Sequence, residues 1–206
     1  LTKSSSSSDP RNMEQRYLSF ALFNQRGGML SKSLSGIDRE LLGKAVRAGL
    51  LNEDGRARGS YASVYQNLSY DELKPLLPAI YQAIAEPAPS GIMFADTIRT
   101  SGLELFVKHR ISEGIELLAD YTRNQKQHGS QKRIVKVLDL LKEYGAHSQR
   151  VLPQLAATAD YFENQEKDFP RHLSIGKAAA VRATMREIEA LTEMPELISV
   201  SSNSER

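Results

Sequence analysis

The sequence predicts an all-α protein built from pairs of helices. Apolar residues recur every three or four positions along most of the chain, most clearly over residues 134–144, whereas alternation with a period of two does not persist. Helix-capping patterns stand at the start of several of these segments. The segments 76–80 and 151–155 also share one pattern, in which two apolar residues precede a proline and a third apolar residue follows two positions later. This shared pattern indicates a repeat.

The composition is that of an ordinary soluble globular protein. Of the 206 residues, 40% are hydrophobic and 25% are charged, and 27 Lys and Arg against 25 Asp and Glu leave a net charge of +2. This near balance argues against a protein that binds polyanions over its whole surface. Cysteine is absent, which excludes disulfides, a thiol nucleophile and cysteine-ligated zinc. No run of about 18 apolar residues occurs, so no membrane span is predicted.

Polar ends set the predicted domain bounds. Serine fills residues 4–8, and residues 199–206 are almost entirely polar. Such segments cannot bury enough apolar surface to fold. We expect a disordered linker over 1–8, a single helical-repeat domain over 9–192 and a flexible tail over 193–206.

Four helices are predicted before residue 87. They cover residues 10–26, 37–49, 56–68 and 70–84. The first begins at Asp9 and Pro10, an N-cap followed by a proline at the first helical position. Ser69 and Glu72 form a capping box at the start of the fourth, in which each side chain can accept from the other residue's free amide.

Five further helices are predicted beyond the loop that contains Pro87 and Pro89. They cover residues 92–107, 113–121, 130–144, 147–162 and 171–191. Ser112 is expected to cap the second of these helices, and Gly145 is expected to end the third.

The helices are expected to form repeated pairs. Pro78 and Pro153 lie inside matching helical segments, where a proline costs roughly 3 kcal/mol. One further pair fits between them, which gives a period of roughly 37 residues. The pairs then begin near Ile37, Asp71, Ile111 and His147, and their second helices begin near Arg56, Ile92, Ser130 and Ser174. Pro78 and Pro153 should superpose when the pairs are aligned.

The turn at residues 54–62, with the sequence DGRARGSYA, joins an acidic residue and basic residues to a helix with small side chains. It resembles the turn into the second helix of a HEAT repeat, an armadillo-type helical repeat, and residues 9–11 are similar. The resemblance covers residues 9–192 and implies a right-handed α-α superhelix of HEAT-like pairs, with the second helices on its concave side. The repeat spacing falls at or below the usual range of about 40–47 residues. The turns at 96–97 and 131–133 also depart from the pattern.

A second resemblance concerns residues 52–84, which resemble the C-terminal region of large bacterial proteins that carry a domain of unknown function. It implies a fragment of a larger, secreted protein, with no activity assigned to this part. A signal peptide in that parent chain would direct it to the periplasm or the cell exterior. The compartment is otherwise open, because a chain without thiols is indifferent to redox conditions.

No catalytic residue, metal or cofactor is predicted. Neither the nucleophile elbow G-x-S-x-G nor a phosphate-binding loop occurs. The histidines show no i, i+4 or His-x-His spacing, and His172 with Asp168 comes nearest to a pair of metal ligands. A single loop histidine is ordinarily solvated. We therefore expect no enzyme activity from this chain alone.

A basic stretch is the candidate binding site. Five positive charges occur between residues 123 and 136 without an acid. The predicted site for an anion or a partner comprises Arg123, Lys126, His128, Lys132, Arg133 and Arg171. Lys177 is expected to extend this basic edge. The alternative is a solvated loop with Arg123 favourably placed at a helix C-terminus. Nucleic acid is not expected, because aromatic residues for base stacking are lacking.

The architecture favours a non-catalytic scaffold or protein-interaction module that is a fragment of a longer chain. Its partners would be other proteins or other domains of the same chain, with an anionic ligand as a further option. Two alternatives remain open. The chain could be an accessory or substrate-positioning domain of a larger secreted enzyme, or an anion- or polysaccharide-binding module. Fold alone does not decide among them.

Overall fold

The computed structural model describes residues 18, 21–22, 33–53, 55–86, 95–125 and 130–200. Within these ranges the regular structure is helical apart from an isolated β-bridge, which confirms the predicted all-α class. Contacts group the chain into two compact units. Unit 1 is Leu1–Leu105 with Val200–Arg206, and unit 2 is Phe106–Ser199. From the sequence we expect a single domain over 9–192, and no pattern indicates a boundary near residue 105.

Each unit has its own set of helices. Those of unit 1 are α1 (Arg39–Leu50), α2 (Gly55–Tyr61), α3 (Tyr70–Leu73) and α4 (Leu77–Ala85), with 3₁₀ helices at Ala62–Asn67 and Lys74–Leu76. Helix α5 (Ala95–Lys108) crosses the boundary between the units. Those of unit 2 are α6 (Gly114–Arg123), α7 (Ser130–Lys142), α8 (Leu152–Asn164) and α9 (Arg171–Glu189), with a 3₁₀ helix at Gly145–Val151. None of the described helices is long and apolar enough to cross a bilayer.

Capping residues position the helices of unit 1. Asp38 caps α1 by accepting a hydrogen bond from the Leu41 amide at 3.0 Å. The capping box of α3 is confirmed, since Glu72 accepts from the Ser69 amide at 2.7 Å and from its hydroxyl at 2.9 Å. Glu72 also accepts from Arg39 Nη2 at 2.8 Å, which ties the start of α1 to the start of α3.

The two motif prolines do not lie in helix interiors. Pro78 and Pro153 are the second residues of α4 and α8, and each of these helices directly follows a 3₁₀ helix. The prediction of mid-helix prolines is therefore wrong. The first turn accommodates a proline because no intrahelical hydrogen bond is removed there. The repeat and the superposition of the pairs stay predictions.

Unit 2 contains two helix hairpins, α6–α7 and α8–α9. Their first helices, α6 and α8, run parallel to each other. Arg150, just before α8, donates to Glu116 of α6 at 2.7 Å. Four residues farther along both segments, Gln154 donates to Asp120 at 2.6 Å. The equal shift on both sides requires a parallel arrangement of α6 and α8.

The second helices of unit 2 are also parallel. The side-chain amide of Gln131 in α7 lies against Gly176 in α9. Eleven residues farther along both helices, Lys142 contacts Glu187 at 2.7 Å. The hairpins therefore stack with like helix beside like helix, whereas spatial neighbours in an up-down-up-down bundle are antiparallel.

Residues 193–199 are not the loose tail that the sequence predicts. The Ser112 amide donates to the Ile198 carbonyl at 2.8 Å, and the Ile198 amide donates to Arg110 at 3.0 Å. Farther upstream, the Ala146 amide donates to the Glu193 carbonyl at 2.7 Å. The prediction of a flexible tail over 193–206 is wrong for these residues, because main-chain hydrogen bonds fix them to unit 2.

Two further predictions of local structure can be compared. Ser112 does not cap α6, which begins at Gly114, and its hydroxyl donates to Glu113 instead, at 2.9 Å. Gly145 does follow the end of α7, with φ at +62°, the left-handed conformation that glycine favours. The cap at residues 9–10 and the stop at 27–28 lie outside the described residues.

Candidate binding site

The structure separates the predicted basic residues into several environments. Arg123 is the last residue of α6, and its guanidinium carbon lies 3.5 Å from the centroid of the Tyr161 ring. Its Nη1 is buried and has no hydrogen-bond acceptor among the described contacts. A stacked, partly buried guanidinium of this kind contributes a cation–π contact to the protein's own packing. Arg123 is therefore not a free cation of the surface.

Arg133 also serves the fold. Its Nε donates to the side-chain oxygen of Gln125 at 3.1 Å, across the corner between α6 and α7. Gln125 is buried, and its carbonyl accepts from Lys177 of α9 at 3.3 Å. These bonds connect the first hairpin of unit 2 to the second.

Lys177 does not extend a basic edge, and that expectation is wrong. Its ammonium lies 2.8 Å from Glu166, and both side chains are 1% exposed. The ammonium also lies 3.8 Å from the ring centroid of Phe169 and 5.1 Å from that of Phe162. Burial of a charge is tolerated only with such compensation. Lys177 is a structural residue near the connection between α8 and α9.

The remaining predicted residues divide into two groups. Lys132, in the first turn of α7, and Arg171, the first residue of α9, are exposed. Lys126 and His128 lie outside the described residues. The structure thus leaves Lys132 and Arg171 as the accessible cations of the predicted set within its described part.

Apolar side chains share the outer surface of the same two helices. Val135 of α7 is 48% exposed and Ile175 of α9 is 46% exposed. Neither was singled out from the sequence, where each fits the general apolar pattern of its helix. The helix registers are the signal that could have found them, since Val135 and Ile175 depart from the lines of buried residues on α7 and α9.

A cleft of about 430 Å³ opens beside the C-terminal end of α7. Its lining comprises Arg110, Asp139, Lys142, Glu143, Gly145, Leu191, Glu193 and Pro195. Two of its cations have partners: Lys142 lies 2.8 Å from Asp139, and Arg110 donates to the main-chain carbonyl of Glu143 at 2.6 Å. The sequence could not indicate this cleft, because one wall is the segment predicted to be a flexible tail.

Burial and hydrogen bonds shift several pKa values in unit 2. Burial raises the pKa of the Tyr144 phenol, whose hydroxyl donates to the Ile111 carbonyl at 2.8 Å. Hydrogen bonds to Asp139 and Glu187 raise the pKa of Lys142, which stays charged. Burial and the neighbouring Lys108 charge lower the pKa of His109.

Comparison with known proteins adds no assignment. No family model, curated protein or solved structure matches the chain. The described residues also contain no group of three or more His, Asp or Glu side chains placed to hold a metal.

Proposed function

We propose that the chain is a non-catalytic protein-interaction module, a piece of a longer scaffold, in which helix hairpins stack as in HEAT repeats. The observation that carries the proposal is the parallel register of like helices in unit 2. Stacked hairpins form two layers, and the outer face of each layer stays available to a partner.

We also propose a HEAT-like, right-handed superhelical course for the hairpins of unit 2, with α7 and α9 in its concave layer; the contacts between like helices support the repeat packing. This finer architecture is part of the proposal. A role as an accessory domain of a secreted enzyme stays a prediction, and the anion-binding alternative loses support because Arg123 and Arg133 are engaged within the protein.

The proposal is tested by selection from a displayed library of helical peptides of random sequence against the whole chain. Recovered peptides are synthesised and titrated by calorimetry. We expect saturable one-to-one binding with a Kd below about 100 µM, an affinity typical of modest helix-in-groove contacts. A library that yields no peptide with saturable binding would contradict an interaction role.

A further inference from the structure

Residues 193–199, named here the strap, contain no helix or turn and lie across the edge of unit 2 where α6 and α8 begin. We propose that this edge is a binding groove for an extended peptide segment of a partner protein, and that the strap fills the groove until a partner replaces it. The inference deepens the proposed function and rests on it, because it names a site and the chemistry of its partner.

The end of the strap is held by main-chain groups. The Ile198 amide donates to the Arg110 carbonyl at 3.0 Å, and the Ile198 carbonyl accepts from the Ser112 amide at 2.8 Å. These two bonds form a parallel β-bridge between Ile198 and Ile111. Any extended segment can make such bonds, and proteins that bind a peptide as an added strand use them for affinity.

The start of the strap contacts the connection between the two hairpins. The Ala146 amide donates to the Glu193 carbonyl at 2.7 Å, and His147 Nε2 lies 2.9 Å from the Pro195 carbonyl. The strap therefore crosses the connection before α8 and then the connection before α6. Because α6 and α8 are parallel, both connections lie at one edge of unit 2, where a single extended segment reaches both.

The strap is held with little apolar burial. None of residues 191–199 is fully buried, and Met194 is 68% exposed. The strap also lies beyond the end of α9, so its release leaves the packing of the four helices in place. Segments with few buried apolar contacts open at a lower free energy than the core. Release of the strap is therefore a local step that leaves the hairpins folded.

The edge has space beside the strap. The cleft of about 430 Å³ is lined by Glu193 and Pro195 of the strap and by Arg110 and Gly145 of the edge, among others. Arg110, whose carbonyl accepts from the strap, has φ at +51°, a conformation that residues other than glycine rarely adopt and that clusters at ligand sites. The cleft gives room for larger side chains of a partner segment at the positions of Glu193 and Pro195.

The strap defines the chemistry of the partner segment. Ile198 is half-buried and pairs with Ile111, which is fully buried, so the equivalent partner residue is aliphatic. The Ser199 hydroxyl donates to the Glu113 carboxylate at 2.6 Å, so a residue with a hydroxyl follows. Glu193 accepts through its main-chain carbonyl, which leaves the side chain at that position unrestricted.

The test uses the full chain and a fluorescent peptide with the sequence of residues 192–200, TEMPELISV. In the wild type the tethered strap competes with the peptide at an effective concentration of about 1 mM. Ile198→Asp weakens the strap and leaves the groove residues unchanged. In fluorescence anisotropy we therefore expect the peptide to bind this variant at least about tenfold more tightly than the wild type. Ile198→Ala, a milder change, should give an intermediate affinity.

Modified peptides test the main-chain contacts. N-methylation at Ile198 removes the amide that donates to Arg110 and should weaken binding to the Ile198→Asp chain about tenfold. N-methylation at Leu197 is the matched control, because the described main-chain hydrogen bonds do not include its amide. In the chain, the control is Leu41→Asp in unit 1, at a position that is 55% exposed, which should bind the peptide as weakly as the wild type. Circular dichroism confirms that each variant is folded.

The outcomes separate this inference from the broader function. If the peptide binds the wild type and both Ile198 variants equally, or binds none of them, the strap does not fill a peptide site and the inference is wrong. Equal effects of the two N-methylations would also overturn it. Wild-type dimers in sedimentation that the peptide dissociates would assign the groove to the strap of a second copy instead of a partner protein. Helical library peptides that bind elsewhere would still support an interaction module, whereas failure of both tests would reject the proposed function itself.

Discussion

Replacement of Lys177 by methionine should destabilise unit 2 strongly. The Lys177 ammonium lies 2.8 Å from Glu166 with both side chains 1% exposed, and it also donates to the Gln125 carbonyl. Methionine keeps much of the packing volume but leaves the Glu166 carboxylate buried without its cation. The second oxygen of the Glu166 carboxylate already has no hydrogen-bond partner among the described contacts. Loss of one partner from a buried ion pair typically costs about 3–5 kcal/mol.

The double variant Lys177→Met with Glu166→Leu separates the charge from the packing. Replacing both members of a buried pair with apolar residues is often neutral or stabilising. We therefore expect the double variant to lie within about 1–2 kcal/mol of the wild type, and to be more stable than Lys177→Met alone. The control is Lys142→Met, which removes a cation that is 31% exposed and should cost less than about 1 kcal/mol.

Urea unfolding is followed by circular dichroism together with hydrogen exchange of peptides from α8 and α9. The second measurement is needed because the chain has two compact units, which need not unfold together. A cost below about 1 kcal/mol for Lys177→Met, or a double variant whose cost equals the sum of the single costs, would refute the reasoning.

Three further substitutions test separate contacts. Gly145→Ala should cost at least about 1–2 kcal/mol of stability, because the φ angle of Gly145 is +62° and a Cβ would overlap the Glu193 carbonyl. It should also speed amide exchange over 193–198, and unchanged exchange would contradict this. Arg39 and the Ser69 cap lower the pKa of Glu72 from 4.5 to about 2. The ionised Glu72 therefore stabilises the fold above pH 4.5, and this stabilisation is lost as the pH falls toward 2. Its size is about 1 kcal/mol or less at this partly exposed pair. Glu72→Gln should flatten that part of the stability–pH curve, and an unaltered slope would exclude the effect. Gln149→Ala removes an amide nitrogen that lies within 3.4 Å of three carbonyls near the C-terminal end of α9. It should lower stability by about 1–2 kcal/mol in a thermal melt, and an unchanged melting temperature would contradict this.

The helices could be predicted because their signals are local. The capping box of Ser69 and Glu72, the glycine stop at Gly145 and the start near Ser130 each depend on residues within one or two turns. The 3₁₀ segments before Pro78 and Pro153 were missed because no local signal marks them. An apolar stripe continues through a 3₁₀ helix almost unchanged, so periodicity cannot locate the point at which the proline begins an α-helix.

The burial of Lys177 had a signal in the sequence that was not used. Ser174, Lys177 and Val181 are spaced by three and four residues, which places the lysine on the buried line of α9. Its partner could not be found in this way. Glu166 lies beyond the end of α8, and only the closure of the hairpin brings its carboxylate to the ammonium.

The candidate site shows why clustering of charge along a sequence is a weak guide to a binding surface. Arg123 and Arg133 lie in the same basic stretch as Lys132, yet the first stacks on Tyr161 and the second donates to Gln125. Both partners become neighbours only after the helices pack. Lys132 differs because it lies on the outer side of α7, a distinction of helical phase that the density of positive residues does not contain.

A net charge near zero is compatible with a basic face, because neutralisation depends on position. On the α8 side of α9, Arg182 contacts Asp160 and Glu163, each at 2.7 Å, and Lys177 is paired within the hairpin. The acids that balance α9 are thus used along its inner edge, between the two helices of one hairpin. Arg171 lies on the same line of α9 as Arg182, eleven residues earlier, and is exposed.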